Sequence, residues 1–365
     1  MREMRCFERA RFAARMGVPP RVRGRPYLAG SASLDFPRSL PLATDGFPLV
    51  LDGVANARGA SIEQISTALR AAVDEHLSTS GALVFRQLDR FDCIDATSAS
   101  FSRLFTSLGY APREYAGGVA SREALAESVL SASDDPAAVS IEPHIEMAYM
   151  TASVPSKVMF YCERPAAEDD GGGQTPIMSV RTLLERLDPA VVARFRELGV
   201  RYYRHCPDER RHGAHLYSWQ RAFFTEDRRD VEEQCRRLGY DLEWDDTSGL
   251  LTTSFVTPAL RAHPETGEEL WLNQATASHH SYYADFPGVE PGAGVTSFPG
   301  TTSYGDGSPI PNDVVEHIRA AMWSCAVAVP LAKSDLLVLD NNVVAHGRVG
   351  FGEGSARRLS VAIAN

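Results

Sequence analysis

No run of about 18 consecutive apolar residues occurs in this chain, so no membrane-crossing helix is expected and a membrane is not a partner. The six cysteines, Cys6, Cys93, Cys162, Cys206, Cys235 and Cys325, form neither a C-x-x-C pair nor a framework spacing. Buried reduced thiols and a cytoplasmic setting are therefore expected. Long blocks of one charge are missing as well. Lys and Arg number 37 against 47 Asp and Glu, a net charge of −10, and neither sign clusters. A nucleic-acid backbone would find no broad basic footprint, so nucleic acid is not a partner. Arg2, Arg5, Arg9 and Arg11 make the first residues basic, yet no apolar segment follows them, and no export leader is expected. Internal repeats and low-complexity tracts are absent too.

What is present is 44% hydrophobic residues in a chain of 365, enough for a sizeable core. Residues 1–45 carry Arg, Pro and Gly with little periodicity and read as an irregular N-terminal arm; residues 46–365 read as a single domain. Ile62, Ile65, Leu69, Val73 and Leu77 recur at helical spacing, and Ser61 with Gln64 forms a capping-box signature. Gly81 to Phe85 then reads as a buried strand, as does Val158 to Cys162. Gly171-Gly-Gly-Gln-Thr175 reads as a turn, and helices are predicted over 181–198, 226–238 and 312–325. Asp335 to Asp340 and Arg358 to Ala364 read as late strands. Helices thus interrupt a strand-rich chain.

Chemistry concentrates at Pro143-His144-Ile145-Glu146-Met147. If this segment is extended, residues 144 and 146 share a face, because strand side chains alternate with period two. A third ligand is offered by Asn341-Asn342-Val-Val-Ala-His346-Gly347-Arg348, just after a strand. Two histidines and one carboxylate on one face of an octahedron leave three positions open, which suits Fe(II) oxygenase chemistry. His-x-Glu alone is a weak signal; its combination with the distant histidine decides. His205, His212, His215, His279 and His280 compete, but 279 and 280, if neighbours on a strand, face opposite sides.

A dicarboxylate co-substrate buried beside iron needs a cation for its far carboxylate, and arginine can grip it with two parallel bonds. Arg357 and Arg358 follow His346 closely. Only one of two consecutive strand residues can face the site, and Arg357 is preferred over Arg358.

Together these residues resemble the TauD/TfdA superfamily of Fe(II)/2-oxoglutarate-dependent dioxygenases, and within it the SyrP-like branch tied to natural-product pathways. The resemblance spans residues 80–365. It rests on the two metal segments with Phe160-Tyr-Cys-Glu163, Gly172-Gly-Gln-Thr-Pro176, Gly199-Val-Arg-Tyr-Tyr-Arg204, Ser218-Trp-Gln220, His263-Pro-Glu-Thr-Gly267, Trp271-Leu-Asn-Gln274 and His346-Gly-Arg348. It implies a mainly β fold with flanking helices, a double-stranded β-helix or jelly roll. It implies that Thr175 contacts 2-oxoglutarate, that Trp271 and Asn273 line the pocket, and that Tyr203 and Arg204 are candidates for touching substrate. The segment Gly249-Leu-Leu-Thr252 has leucine where an arginine is expected, and Leu272 stands where an aromatic is expected, which bears on the substrate.

The activity implied is oxidation of an unactivated C–H, hydroxylation by default, with 2-oxoglutarate and O2 consumed and succinate and CO2 formed. Glu146 argues against halogenation, which needs a small residue there; desaturation and related outcomes stay open. An amino acid, or an amino-acyl group held on a carrier protein, is the expected substrate. Two rivals are a non-catalytic jelly-roll binding protein and a zinc-dependent hydrolase. The latter leaves the arginine beyond His346 unexplained.

Overall fold

Alternation along Lys157–Arg164 explains why that strand reads as one apolar run. Val158 and Phe160 belong to one hydrophobic core and Met159 and Tyr161 to another, so the strand is buried on both faces. Leu336–Asp340 beside it does the same, with Leu337 and Leu339 facing one core and Leu336 and Val338 the other. In the computed structural model, residues 6–10, 19–22, 37–54, 57–113, 122–133, 135–150, 154–167, 170–212, 218–284, 286–290 and 292–365 are described.

These two strands sit in the middle of an eight-stranded sheet. Its spatial order is Phe7–Ala10, Leu49–Gly53, Ala82–Arg86, Leu336–Asp340, Lys157–Arg164, Arg358–Ala364, Val129–Ser131 and Ala124–Ala126. Helices Ile62–Ser80 and Ser98–Leu108 cover its outer face through Ile65, Leu69, Val73, Phe101 and Phe105. Its inner face packs against a second sheet ordered Val327–Val329, Thr175–Ser179, Val344–Arg348 and Ile141–His144. The two facing sheets form the double-stranded β-helix that the resemblance implied. A further sheet of Asp241–Asp245, Leu250–Thr257, Val200–Cys206 and Gly300–Tyr304 extends the molecule to one side. Helix Asn312–Cys325 packs on the smaller jelly-roll sheet. Among the described residues, no helix is long and apolar enough to cross a membrane.

Several expectations meet the structure directly. Ser61 and Gln64 make the reciprocal capping box, and the helix ends on Gly81 in the left-handed region at φ 71°, so the strand after it begins at Ala82. The helix expected over 181–198 is two helices, Val180–Arg186 and Pro189–Leu198. Pro189 has no N–H to continue the first, and Asp188 caps the second by accepting from the Ala190 amide at 2.7 Å. Within the segment read as an irregular arm, Phe7–Ala10 is a strand paired antiparallel to Leu49–Gly53. Phe7 packs edge-on against Phe85 and Phe91, with centroids 5.1 and 5.7 Å away.

Candidate active site

His144 closes strand Ile141–His144, and His346 lies directly across from it on Val344–Arg348. Opposed residues of an antiparallel pair project to one face, so the imidazoles meet with ring centroids 4.6 Å apart. Gly347 makes the approach possible, since a Cβ there would collide with the Ile141 carbonyl oxygen.

Glu146 arrives by another route. The strand ends at His144 and the chain turns, with Met147 at φ 57°, so the period-two alternation expected across 144–146 does not operate. Asn341 holds the turn instead. Its Oδ1 accepts from the Glu146 amide at 2.9 Å, and its Nδ2 donates to the carbonyls of Glu146 and Pro155 at 3.0 and 2.9 Å. Gln274 Nε2 donates to the Ile145 carbonyl at 2.7 Å. The result is that one ligand atom from each of His144, Glu146 and His346 lies within 4.8 Å of the others, the one such group among the described residues.

The electrostatics suit a cation. Burial pushes the Glu146 carboxyl up, but Arg122, whose Nη2 donates to Oε2 at 2.8 Å, and the two histidines outweigh it and bring it down to about 2. Burial lowers His346 to about 4 against the opposing pull of Glu146, so the ring is neutral near pH 7 and has a lone pair to give. His346 Nδ1 is buried with no hydrogen-bond partner, and Nε2 stands 3.6 Å from Glu146 Oε2. His144 Nδ1 donating to the Glu142 carbonyl at 2.8 Å leaves Nε2 for a metal. Two imidazoles and an ionised carboxylate around one point fit Fe(II).

A cavity of about 230 Å³ opens over these three residues, with Thr175, Arg122, Arg348 and Arg357 in its lining. Arg357 Nε donates to the Gly173 carbonyl at 2.7 Å, and the guanidinium lies over the Phe351 ring. Burial, and Arg348 nearby, lower it to about 9, which leaves it charged at neutral pH. Among the described residues no carboxylate pairs with it. Arg358 is more exposed and stands 3.4 Å from Glu163.

Other sequence candidates lie apart. Trp271 and Asn273 line a separate cavity of about 10 Å³ that shares His144, Gln274 and Ala277 with the large one. Tyr203 and Arg204 line another of about 20 Å³, which touches the large cavity through Tyr149, Ser278 and Tyr283. His279 and His280 are not strand neighbours. His279 caps helix His280–Tyr283, and the two rings lie 4.0 Å apart. His215 falls outside the described residues. Arg122 was missed from sequence, and Asn341 and Gln274 were seen only as parts of motifs. Arg122 stands in a segment without periodicity, and Asn341 had as its one signal its place five residues before His346.

Residues 44–363 match the family model described as taurine catabolism dioxygenase TauD, TfdA family. The chain belongs to the TauD/TfdA family. This TauD/TfdA chain is 34% identical over 316 residues to the dapdiamide synthesis protein DdaC of Enterobacter agglomerans, covering 86% of this chain and 91% of that protein. It is 30% identical over 283 residues to a clavaminate synthase-like protein of Arabidopsis thaliana, covering 76% and 80%. Among solved structures, PvcB of Pseudomonas aeruginosa aligns at a TM-score of 0.49 and 13% identity, over 93% of this chain and 95% of that one. As a TauD/TfdA member the protein is a 2-oxoglutarate-dependent dioxygenase that uses Fe(II) and O2.

Proposed function

We propose that this dioxygenase hydroxylates an unactivated C–H of an amino acid, an amino-acyl group or a related small molecule in natural-product biosynthesis. DdaC, by name a protein of dapdiamide synthesis, supports the pathway class. The observation that carries the site is the meeting of His144, Glu146 and His346 beneath a cavity that also holds a charged arginine, Arg357, with no carboxylate partner among the described residues.

In this reading His144 and His346 give lone pairs to Fe(II) and Glu146 gives its negative charge. Arg357 takes the far carboxylate of 2-oxoglutarate, and Thr175 adds a hydroxyl beside it. A buried cation without an anion is costly, so the co-substrate carboxylate satisfies Arg357 as much as Arg357 holds the co-substrate. Arg358, occupied by Glu163, is the weaker choice. Phe160, with its ring 4.9 Å from His346, keeps water from that side. The chemistry iron supplies when bound is the oxidation of 2-oxoglutarate by O2 to succinate and CO2, coupled to insertion of one oxygen atom into the C–H bond. The six free thiols support the cytoplasm as the setting.

Anaerobic protein mixed with Fe(II) and 2-oxoglutarate is expected to develop the visible charge-transfer band of the chelate. His144→Ala and Arg357→Ala should each lose it, the second by weakened 2-oxoglutarate binding. A wild-type protein without the band would sink this reading.

A further inference from the structure

A buried ion pair stands behind the three ligand residues and outside their set. Glu142, two residues before His144 on strand Ile141–His144, meets helix Asn312–Cys325 through its side chain, with Arg319 Nε 2.5 Å from Oε1. Both side chains are almost wholly out of water, Glu142 at 1% exposure and Arg319 at 6%. The other two nitrogens of the same guanidinium reach a different part of the chain. Nη1 donates to Ser281 Oγ at 2.9 Å, and Nη2 donates to the Thr276 carbonyl at 3.2 Å. That stretch supplies Ala277, Ser278, Tyr282 and Tyr283 to the lining of the large cavity. The Glu142 carbonyl, for its part, accepts from His144 Nδ1 at 2.8 Å. One cation thus holds both the residue that orients the His144 ring and a wall of the cavity above it.

Stability does not account for this pair. Two charges taken out of water need near-ideal geometry and further hydrogen bonds to recover the cost of desolvation, and apolar side chains of similar volume are often at least as stable. Here neither Glu142 oxygen completes a hydrogen bond, and the Arg319 Nε contact is close but off the line of one. What apolar side chains could not do is tie two separate backbone segments at a fixed distance. Gln274 ties the start of the wall to the Ile145 carbonyl, and Arg319 ties its continuation to Glu142. We infer that Arg319 is a positioning residue, which through Glu142 sets the His144 strand and the 276–283 wall at one spacing, so that loading the metal stiffens the wall. The inference rests on the oxygenase reading, which makes His144 a ligand. By linkage, whatever the metal gains from an ordered wall, a molecule lying on that wall gains from the metal.

The test compares the wild type with two variants. Glu142→Met/Arg319→Met removes both charges, and Arg319→Lys keeps a charge opposite Glu142 without the planar fork. Each protein is titrated anaerobically with Fe(II), unfolded in urea, and followed by hydrogen exchange over residues 276–283 with and without Fe(II). The double variant should unfold at the wild-type urea concentration or above it. Its Fe(II) dissociation constant should nonetheless rise about tenfold. Fe(II) should slow exchange over 276–283 in the wild type, and that slowing should be lost in the double variant. Arg319→Lys, which retains the attraction to Glu142, should stay within about threefold of the wild type in iron affinity. A double variant that binds Fe(II) as the wild type does would overturn the inference, and so would wild-type exchange that Fe(II) leaves unchanged. A double variant that unfolds at much lower urea would overturn it too, by making the pair a support of the fold. In each of these cases a wild type that forms the chelate band keeps the oxygenase reading standing. A wild type without the band brings down that reading and this inference together.

Discussion

Asn341 illustrates how much of the proposed metal site rests on a residue outside the ligand set. Its side chain is wholly buried and spends three hydrogen bonds on the backbone around Glu146 and Pro155. Asn341→Ala would leave those backbone groups unmet, at a cost of roughly 2–4 kcal/mol, and would loosen the turn that aims Glu146. Urea unfolding should show the loss of stability, and an Fe(II) titration should show affinity falling by at least about tenfold. At this scale the sequence was partly legible. His144 and Glu146 stood out because two ligand types fell two residues apart, and His346 because a distant histidine completed the set. Arg122 did not, since a single arginine in an aperiodic stretch looks the same whether it reaches solvent or a buried carboxylate. The sequence already preferred Arg357 over Arg358, and the structure adds that Glu163 stands 3.4 Å from the latter.

Short elements position the long-range partners. The turn before Thr175 has Gly173 at φ 82°, and a Cβ there would lie 2.6 Å from the Ala166 Cβ and 3.0 Å from the Arg357 Cδ. The run of glycines is therefore a slot for the Arg357 stem, and its carbonyl is what the Arg357 Nε binds. Gly173→Ala should destabilise the fold by about 1–3 kcal/mol through backbone strain. It should also weaken 2-oxoglutarate binding more than iron binding, as paired titrations of the two would show. Helices with periodic faces, such as Ile62–Ser80 behind its Ser61 cap and Asn312–Cys325, could be read from sequence. The break at Pro189 was missed because the apolar spacing continues across it. The Glu146 turn was missed because nothing short-range marks Met147 as left-handed.

For the molecule as a whole, the eight-stranded sheet between two cores has a buried carboxyl at the mouth of a central strand. Asp335 enters the central strand Leu336–Asp340 almost fully buried. That burial raises its carboxyl to about 6, against the pull of the Ala332 and Gln87 amides and Arg86. An unfolded aspartate titrates near 3.9. Between about pH 4 and pH 6 the folded chain therefore keeps a proton that the unfolded chain has released, so stability falls as pH rises through that window and levels off above it. The fall amounts to roughly 3 kcal/mol at most. Asp335→Asn cannot titrate, so the difference between the unfolding free energies of variant and wild type should change across pH 4–6 and be flat above. Strand-rich content with helices outside was legible at this scale. The pairing of Leu336–Asp340 with Lys157–Arg164, and of His346 with His144, was not, because no local pattern records which distant strand a strand will join.

If His144 and His346 hold the metal as proposed, that last pairing makes the metal a witness to assembly. More than half the chain separates the two histidines, and they meet only when two strands close in one register. A slip of a single residue would send His346 to the other side of its sheet and leave the first half of the site without its partner. Iron bound by the proposed ligands would act as a clasp across that seam. At a hundred times its dissociation constant it adds about 2.7 kcal/mol to the closed form alone. A preparation that takes up its full complement of iron has, by doing so, certified its own topology.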